Sequence, residues 1–222
     1  MASRFYPNST YEPDFTITPD SSWDETAAVV YRKLAIDAPP NTSQYVLESE
    51  DTDTIAAPAN YLLFQFISEP LDSISATLAV SQACFQVMEF NTKLNAFTYI
   101  VFRKCDSDGG NPVTVGSITD DVEWDDSINC ERFVGSANLT DQAFSQGDRL
   151  VIEVGFYSSA TKAGGYIGRM HIVDGSNYDD LLASDGVSGS YGISWIETGD
   201  TFTVASGDPP AAIKLGPMFA FA

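Results

Sequence analysis

Apolar and polar positions alternate along much of the chain, and the alternation is clearest over residues 148–157. Four apolar side chains recur there at every second position: Leu150, Ile152, Val154 and Phe156. A period of two places successive side chains on opposite faces, so this stretch predicts a strand with one face in a core. Arg149 and Glu153 fall on the other face, and we expect them to point outward rather than to form a catalytic pair.

About ten short strands of this kind, separated by turn residues, account for most of the chain, and no run has a convincing helical period. They are predicted at residues 29–36, 61–68, 74–90, 96–105, 113–118, 132–139, 148–157, 166–173, 192–197, 201–205 and 212–215. The apolar phase slips near Ser81, which predicts two strand segments joined at a bulge. The polar residues 41–59 and the acidic residues 119–131 are predicted to be loops.

Short strands with turns between them favour an all-β fold, an antiparallel β-sandwich of jelly-roll type with an extended N-terminal arm. The arm comprises residues 1–28, where three prolines disfavour helix. Residues 29–210 are expected to form the sandwich, and residues 211–222 an apolar C-terminal segment. Both ends are too apolar for solvent, so each is expected to pack on its own domain or on a neighbour. Residues 166–173 are predicted to pair with the strand at 148–157.

The charge balance excludes two classes of partner. The chain has 31 acidic and 11 basic residues and a net charge of −20. Nucleic-acid binding needs Lys and Arg to neutralise phosphates, and adsorption to anionic lipid needs the same charge. We therefore expect neither nucleic acid nor membrane as a partner. The acidic surface itself favours solubility.

The cysteines and the first residues bear on the compartment. Cys84 and Cys105 lie in apolar strand-like runs and are predicted to be buried, and with Cys130 the count is odd, which does not suit a disulfide framework. The first residues contain no apolar run typical of a secretion signal. We expect a soluble protein that is made in a cytoplasm.

No catalytic motif is present, so the sequence predicts a protein that is not an enzyme and that needs no cofactor or metal. His171 is the single histidine and lies in a strand pattern, which favours an imidazole on the surface or packed on a sheet. Residues 174–180 and 120–126 carry closely spaced oxygen ligands, yet solvated turns explain both. A sugar-binding face would need exposed aromatic side chains such as Tyr166, Tyr178, Tyr191 and Trp195, which a core or an interface also uses.

Five segments together resemble a group of virion structural proteins, about 200 residues long, that tailed bacteriophages encode. The segments are Arg4-Phe5-Tyr6-Pro7, Ser22-Trp23-Asp24-Glu25-Thr26, Gln65-Phe66-Ile67-Ser68-Glu69-Pro70-Leu71, Gly147-Asp148-Arg149-Leu150-Val151-Ile152-Glu153-Val154-Gly155 and Ser194-Trp195-Ile196-Glu197. The resemblance implies a particle component of sandwich type that is assembled in the host cytoplasm. It brings no catalytic residues with it.

The leading hypothesis is a decoration or cement protein that binds and stabilises the shell of major capsid protein, as a homo-oligomer. The expected contact anchors are aromatic and methionine side chains near the two ends: Phe5, Tyr6, Phe15, Met218, Phe219 and Phe221. The alternative is a carbohydrate-binding module on a tail or fibre, near residues 178–195. A glycan-cleaving depolymerase is a third possibility.

Overall fold

The computed structural model describes residues 3–36, 45–51, 58–72, 74–76, 79–91, 93–125, 130–134, 137–139, 142–159, 166–174, 178–182, 184–187 and 191–204. These ranges contain strands and no helix. The strands are β1 (Ser3–Pro7), β2 (Val30–Ile36), β3 (Tyr45–Asp51), β4 (Ala59–Ser68), β5 (Ile74–Ala76), β6 (Ala79–Glu89), β7 (Ala96–Cys105), β8 (Val113–Glu123), β9 (Cys130–Val134), β10 (Ala137–Asn138), β11 (Gln142–Phe144), β12 (Arg149–Ser158), β13 (Gly168–Asp174), β14 (Gly186–Val187) and β15 (Trp195–Thr198).

Thirteen of these strands form one sheet. Its main path runs β14-β9-β6-β15-β1-β2-β4-β12-β7-β8, with β10 and β13 also paired to β6, and β3 paired to β13. The remaining strands, β5 and β11, pair with each other. The predicted all-β fold is confirmed. The sheet is mixed rather than purely antiparallel, because β2 runs parallel to β4. The jelly-roll arrangement stays a prediction.

The core lies between two halves of this sheet. One buried cluster contains Phe64 of β4 and Phe156 of β12, and it also contains Phe85 of β6 and Met170 of β13. These strands lie on the two sides of β1 in the strand order. A Cβ atom added to Gly168 of β13 would lie 2.5 Å from the ring of Phe156 of β12, so strands far apart in the strand order face each other and the sheet folds over itself. Burial of this apolar surface is the main stabilising contribution.

The strand predicted at 148–157 is β12, which lies between β4 and β7. It pairs with β7 along its whole length, from Arg149 opposite Cys105 to Ser158 opposite Ala96. The predicted strands at 61–68 and 96–105 are its two neighbours. The predicted bulge near Ser81 is also confirmed, because the register of β6 against β15 shifts by one residue there.

The strand predicted at 201–205 is, within the described residues, only an isolated bridge between Val204 and Leu71. Three further local predictions were wrong. Residues 41–59 were predicted to be a loop, but β3 lies within them and pairs along β13. Residues 166–173 contain β13, whose neighbours are β3 and β6 rather than β12. The acidic stretch 119–131 begins inside β8, which continues to Glu123. In each case a long-range partner strand decides the outcome, and local polarity carries no information about that partner.

The first part of the arm belongs to the sheet. β1 pairs with β15 on one side and with β2 on the other. Phe5, at its centre, is fully buried in the main core. The sequence left open whether the arm packs on its own domain or on a neighbour. Residues 3–7 pack on their own domain. The segment 211–222 lies outside the described residues.

At Gly155 the backbones of two neighbouring strands leave no room for a side chain. The register of β12 against β4 shifts between Val154 and Gly155, and a Cβ atom added to Gly155 would lie 1.9 Å from the carbonyl oxygen of Tyr61. We expect Gly155→Ala to destabilise the fold by about 3 kcal/mol, because rigid backbone atoms must move. Urea unfolding measures this. Gly186→Ala is the control, because nothing lies within 4 Å of its Cβ position. Equal stabilities of the two variants would contradict the prediction.

Candidate functional site

Residues 12–24, which we call the strap, cover the outer face of β4, β12 and β7. The strap has no regular structure of its own apart from turns. Ile17 packs in a cluster with Ile67 and Val151, and Trp23 packs in another with Leu62. Trp23 is buried and anchors the strap beside the turn at residues 21–22. The face of the sheet that alternation predicts to be open is therefore covered.

Glu153 lies under the strap and is fully buried. Its Oε2 accepts hydrogen bonds from the indole Nε1 of Trp23 at 2.7 Å and from the backbone N–H of Asp20 at 3.0 Å. Its Oε1 accepts from Nε2 of Gln65 at 2.9 Å and from Nη1 of Arg103 at 2.8 Å. A buried carboxylate is tolerated only when its oxygens are paired in this way.

The prediction that Glu153 and Arg149 point outward is therefore wrong. Glu153 has 0% exposure and Arg149 has 8%. Arg149 donates to the carbonyl oxygens of Ser68 and Ser107, and its guanidinium lies over the ring of Phe15. Both residues do lie on the face opposite the main core, as the alternation indicates. The strap then removes that face from solvent.

Gln65 and Arg103 attach the strap at two further points. The side-chain amide of Gln65 accepts from the backbone N–H of Ile17 and donates to the carbonyl of the same residue. Arg103 donates to the carbonyl oxygen of Thr18 at 2.7 Å. The sequence does contain a signal for this arrangement, which the alternation pattern alone does not reveal. Gln65 and Arg103 each interrupt a strand that is apolar on both faces. Strands that are apolar on both faces are usually covered on both faces.

Asp20 links the strap to β8, the hairpin partner of β7. Its carboxylate accepts from the hydroxyl of Thr114 and from the backbone N–H of Ser22, and it lies 3.9 Å from Nε of Arg103. Burial alone would raise the pKa of Asp20, but these hydrogen bonds and the Arg103 charge outweigh it. The pKa is therefore held below its usual value of 3.8.

A second group of charged side chains attaches an irregular segment, residues 178–182, to the other half of the sheet. Arg4 donates to Asp180 at 2.6 Å and to Glu197 at 3.0 Å, and its guanidinium lies 4.2 Å from the ring centre of Trp195. The hydroxyl of Tyr6 also donates to Asp180. Burial, followed by the charge of Asp180, raises the pKa of Tyr6. This group fixes residues 178–182 against β1 and β15.

The aromatic residues considered for sugar binding do not form one exposed surface. Trp195 is 1% exposed, donates its Nε1 to the carbonyl of Leu181, and has Arg4 over its ring. Tyr191 stands edge-on to the buried ring of His171. His171 is thus the sheet-packed imidazole that the sequence favoured. The hydroxyl of Ser194 donates to the backbone carbonyl of His171 at 3.4 Å and not to the imidazole ring.

The two acidic stretches form no metal site in the described ranges, where no three metal-ligating side chains come together. Asp180 is held by Arg4 and Tyr6. In the other stretch, Trp124 packs in the core and donates to the hydroxyl of Thr98. The two cysteines predicted to be buried, Cys84 and Cys105, are buried and reduced.

The predicted contact anchors fall into two groups. Phe5 and Tyr6 are buried, and Phe15 is partly buried against Ile17 and Arg149. All three pack within their own chain. The other three, Met218, Phe219 and Phe221, lie outside the described residues. Within those residues no helix is long and apolar enough to cross a lipid bilayer.

No known family profile matches the sequence, and no curated protein matches it. Among solved structures, two of a CocE/NonD family hydrolase from Staphylococcus aureus match with TM-scores of 0.42, at 10% and 8% identity. Each match covers 89% of this chain and 36% of the hydrolase chain. A structure of infectious bursal disease virus, Gx strain, matches with a TM-score of 0.29 at 13% identity, over 91% of this chain and 50% of that chain.

These comparisons correct one expectation. The sequence predicts a protein that is not an enzyme, and the hydrolases among the matching structures contradict that prediction. The chain spans about a third of the hydrolase chains that it matches. With TM-scores below 0.5, these likenesses assign neither an activity nor a partner to it.

Glu153→Gln tests the buried carboxylate. The amide has nearly the same shape, but its NH₂ group meets hydrogen-bond donors, and Arg103 loses the closer of its two carboxylate partners. We expect a loss of about 3–5 kcal/mol in the free energy of unfolding. Glu69→Gln is the control, because it breaks the surface pair with Lys33, where we expect less than about 1 kcal/mol. A small, equal effect of both substitutions in urea unfolding would show that Glu153 is not the central attachment of the strap.

The lowered pKa of Asp20 predicts a loss of stability in acid. A carboxyl group whose folded pKa lies below its unfolded pKa stabilises the fold above the unfolded value, here about 3.8. That contribution disappears as the pH falls through the folded pKa. We expect Asp20→Asn to flatten the decline in stability between about pH 5 and about pH 2. Glu12→Gln, which removes an exposed carboxylate from the same strap, is the control. An Asp20→Asn profile parallel to that of the wild type would contradict the prediction.

Proposed function

We propose that this chain is a structural protein of a tailed-phage particle that binds the capsid surface as a decoration protein, in homo-oligomeric form. The supporting observation is where the five segments of the phage resemblance lie in the fold. Three of them supply Trp23, Gln65 and Glu153, which meet under the strap. The other two supply Arg4, Trp195 and Glu197, which meet at β1 and β15.

The resemblance is therefore concentrated in the contacts that hold irregular segments onto the sheet. Contacts of this kind fix the framework of a fold, so the likeness supports a shared framework with the phage group. A framework whose outer faces are covered by segments held through ion pairs, one of them fully buried, suits a rigid particle component. In this proposal the protein body is of sandwich type.

The charge supports a particular mode of binding. A net charge of −20 gives the protein an acidic surface, which would contact basic residues on the shell of major capsid protein. Charge complementarity of this kind sets specificity and association rate, and salt weakens it. The proposal therefore includes a salt-sensitive contact with the capsid.

Fractionated virions test the proposal. Purified particles would be separated into heads and tails, and the protein quantified by mass spectrometry relative to the major capsid protein. We expect a constant ratio in heads, density on the head surface in particle images, and weaker rebinding to stripped heads at high salt. An unrelated acidic protein of similar size controls for nonspecific adsorption. Presence in tails alone, or absence from particles, would overturn the capsid assignment. Presence in tails alone would favour the alternative, a carbohydrate-binding module on a tail or fibre.

A further inference from the structure

A groove of about 310 Å³ lies between the strap and β2. The strap forms one wall and the β2 side forms the other. The lining residues are Glu12, Pro13, Thr16, Val29, Val30, Tyr31 and Arg32. The volume is at the lower end of the range for small-molecule sites, so the groove suits one or two rings of a ligand.

Arg32 is the residue in this groove that points to a ligand. Its Nε donates to the carbonyl of Ser9 at 3.2 Å and its Nη1 to the carbonyl of Tyr31 at 2.7 Å. In the described residues no carboxylate lies within 4 Å of it, whereas Arg4 and Arg103 each have a carboxylate partner. Neutral carbonyls therefore hold this guanidinium in place without neutralising its charge. A preorganised guanidinium is suited to binding a carboxylate.

The remaining lining combines apolar surface with hydroxyl-binding groups. Pro13 and Tyr31 contribute apolar surface, Thr16 contributes a hydroxyl group, and Glu12 adds an exposed carboxylate. A pyranose ring has the same combination, since its C–H groups pack on apolar side chains while its hydroxyls form hydrogen bonds. We propose that the groove binds a carboxylated sugar unit of an acidic glycan, with its carboxylate on Arg32 and its ring against Tyr31.

An added peptide strand is a poorer occupant of the same groove. The backbone N–H and C=O of Lys33 bond to the carbonyl of Tyr11 and the N–H of Asn8, away from β4. By the alternation of a strand, Tyr31 presents its own backbone groups on that side. Its carbonyl already accepts from Arg32. A partner strand would therefore lose one of the two hydrogen bonds available there.

The net charge of −20 opposes any anionic ligand. That opposing field is screened beyond about 8 Å at physiological ionic strength, so the direct contact with Arg32 decides binding. The inference does not depend on where the protein sits in a particle. It is tested on the isolated chain, apart from the capsid experiment.

NMR titration of the labelled protein tests the site with matched probes. Hyaluronan tetrasaccharide and sialyllactose carry carboxylates, and fully N-acetylated chitotetraose and lactose are their neutral counterparts. We expect the acidic probes to shift the amide signals of residues 12–16 and 29–32, and the neutral probes to bind at least about tenfold more weakly. A polyglutamate peptide carries carboxylates without a ring, and equal binding of it would overturn the sugar assignment. No shift with either acidic probe would overturn the site.

Variants separate recognition from folding. Arg32→Ala should weaken binding of the acidic probes about tenfold or more, and Arg169→Ala, with the same change in charge at the distant Phe90 contact, should leave it unchanged. Glu12→Gln removes an exposed like charge from the groove and should preserve or strengthen binding. If Arg32→Ala fails to fold, the site is still tested by the wild-type shift map and by binding of the acidic probes to Glu12→Gln. Equal effects of Arg32→Ala and Arg169→Ala on binding of the acidic probes would contradict carboxylate recognition by Arg32.

Discussion

The carboxylate of Glu153 imposes a constraint on which much of the structure depends. An ionised group that is fully removed from water must have its oxygens paired, because the desolvation cost is otherwise prohibitive. Its partners come from the strap, from β4 and from β7, so all three must be in place together. One side chain in the middle of β12 thereby couples the register of the central strands to the path of residues 12–24. Loss of the strap would expose both the charge and the apolar side chains beside it.

The other half of the sheet is covered by the same physical means, at lower burial. Arg4 joins β1 to Asp180 and to Glu197, and its stacking on Trp195 adds a cation–π contact. These groups are about a third exposed, so solvent screens them more than the pair under the strap. The fold thus has an apolar core between two sheet halves and an outer layer of irregular chain on each half. Charged side chains, rather than further strands, hold that layer.

The strap also creates surface. The middle of the strap packs on the sheet and covers Glu153. The first residues of the strap pass beside β2 and leave the groove next to Arg32. The basic residues are few, so each one without a carboxylate partner is informative. The proposed roles follow this division, since the buried attachments carry the phage resemblance and the groove carries the ligand proposal. In the two proposals, the capsid and the glycan would therefore be bound at separate places on the protein.

The sequence by itself determined the all-β class, the positions of the central strands and the burial of Cys84 and Cys105. A period of two fixes the local conformation and assigns each side chain to a face, and both properties are local. Only the tertiary structure decided that β3 and β13 pair, that β1 enters the sheet, and that Glu153 is buried. Alternation states which face a residue occupies, but not what covers that face or which distant strand lies beside it. Those outcomes depend on contacts between residues far apart in the chain.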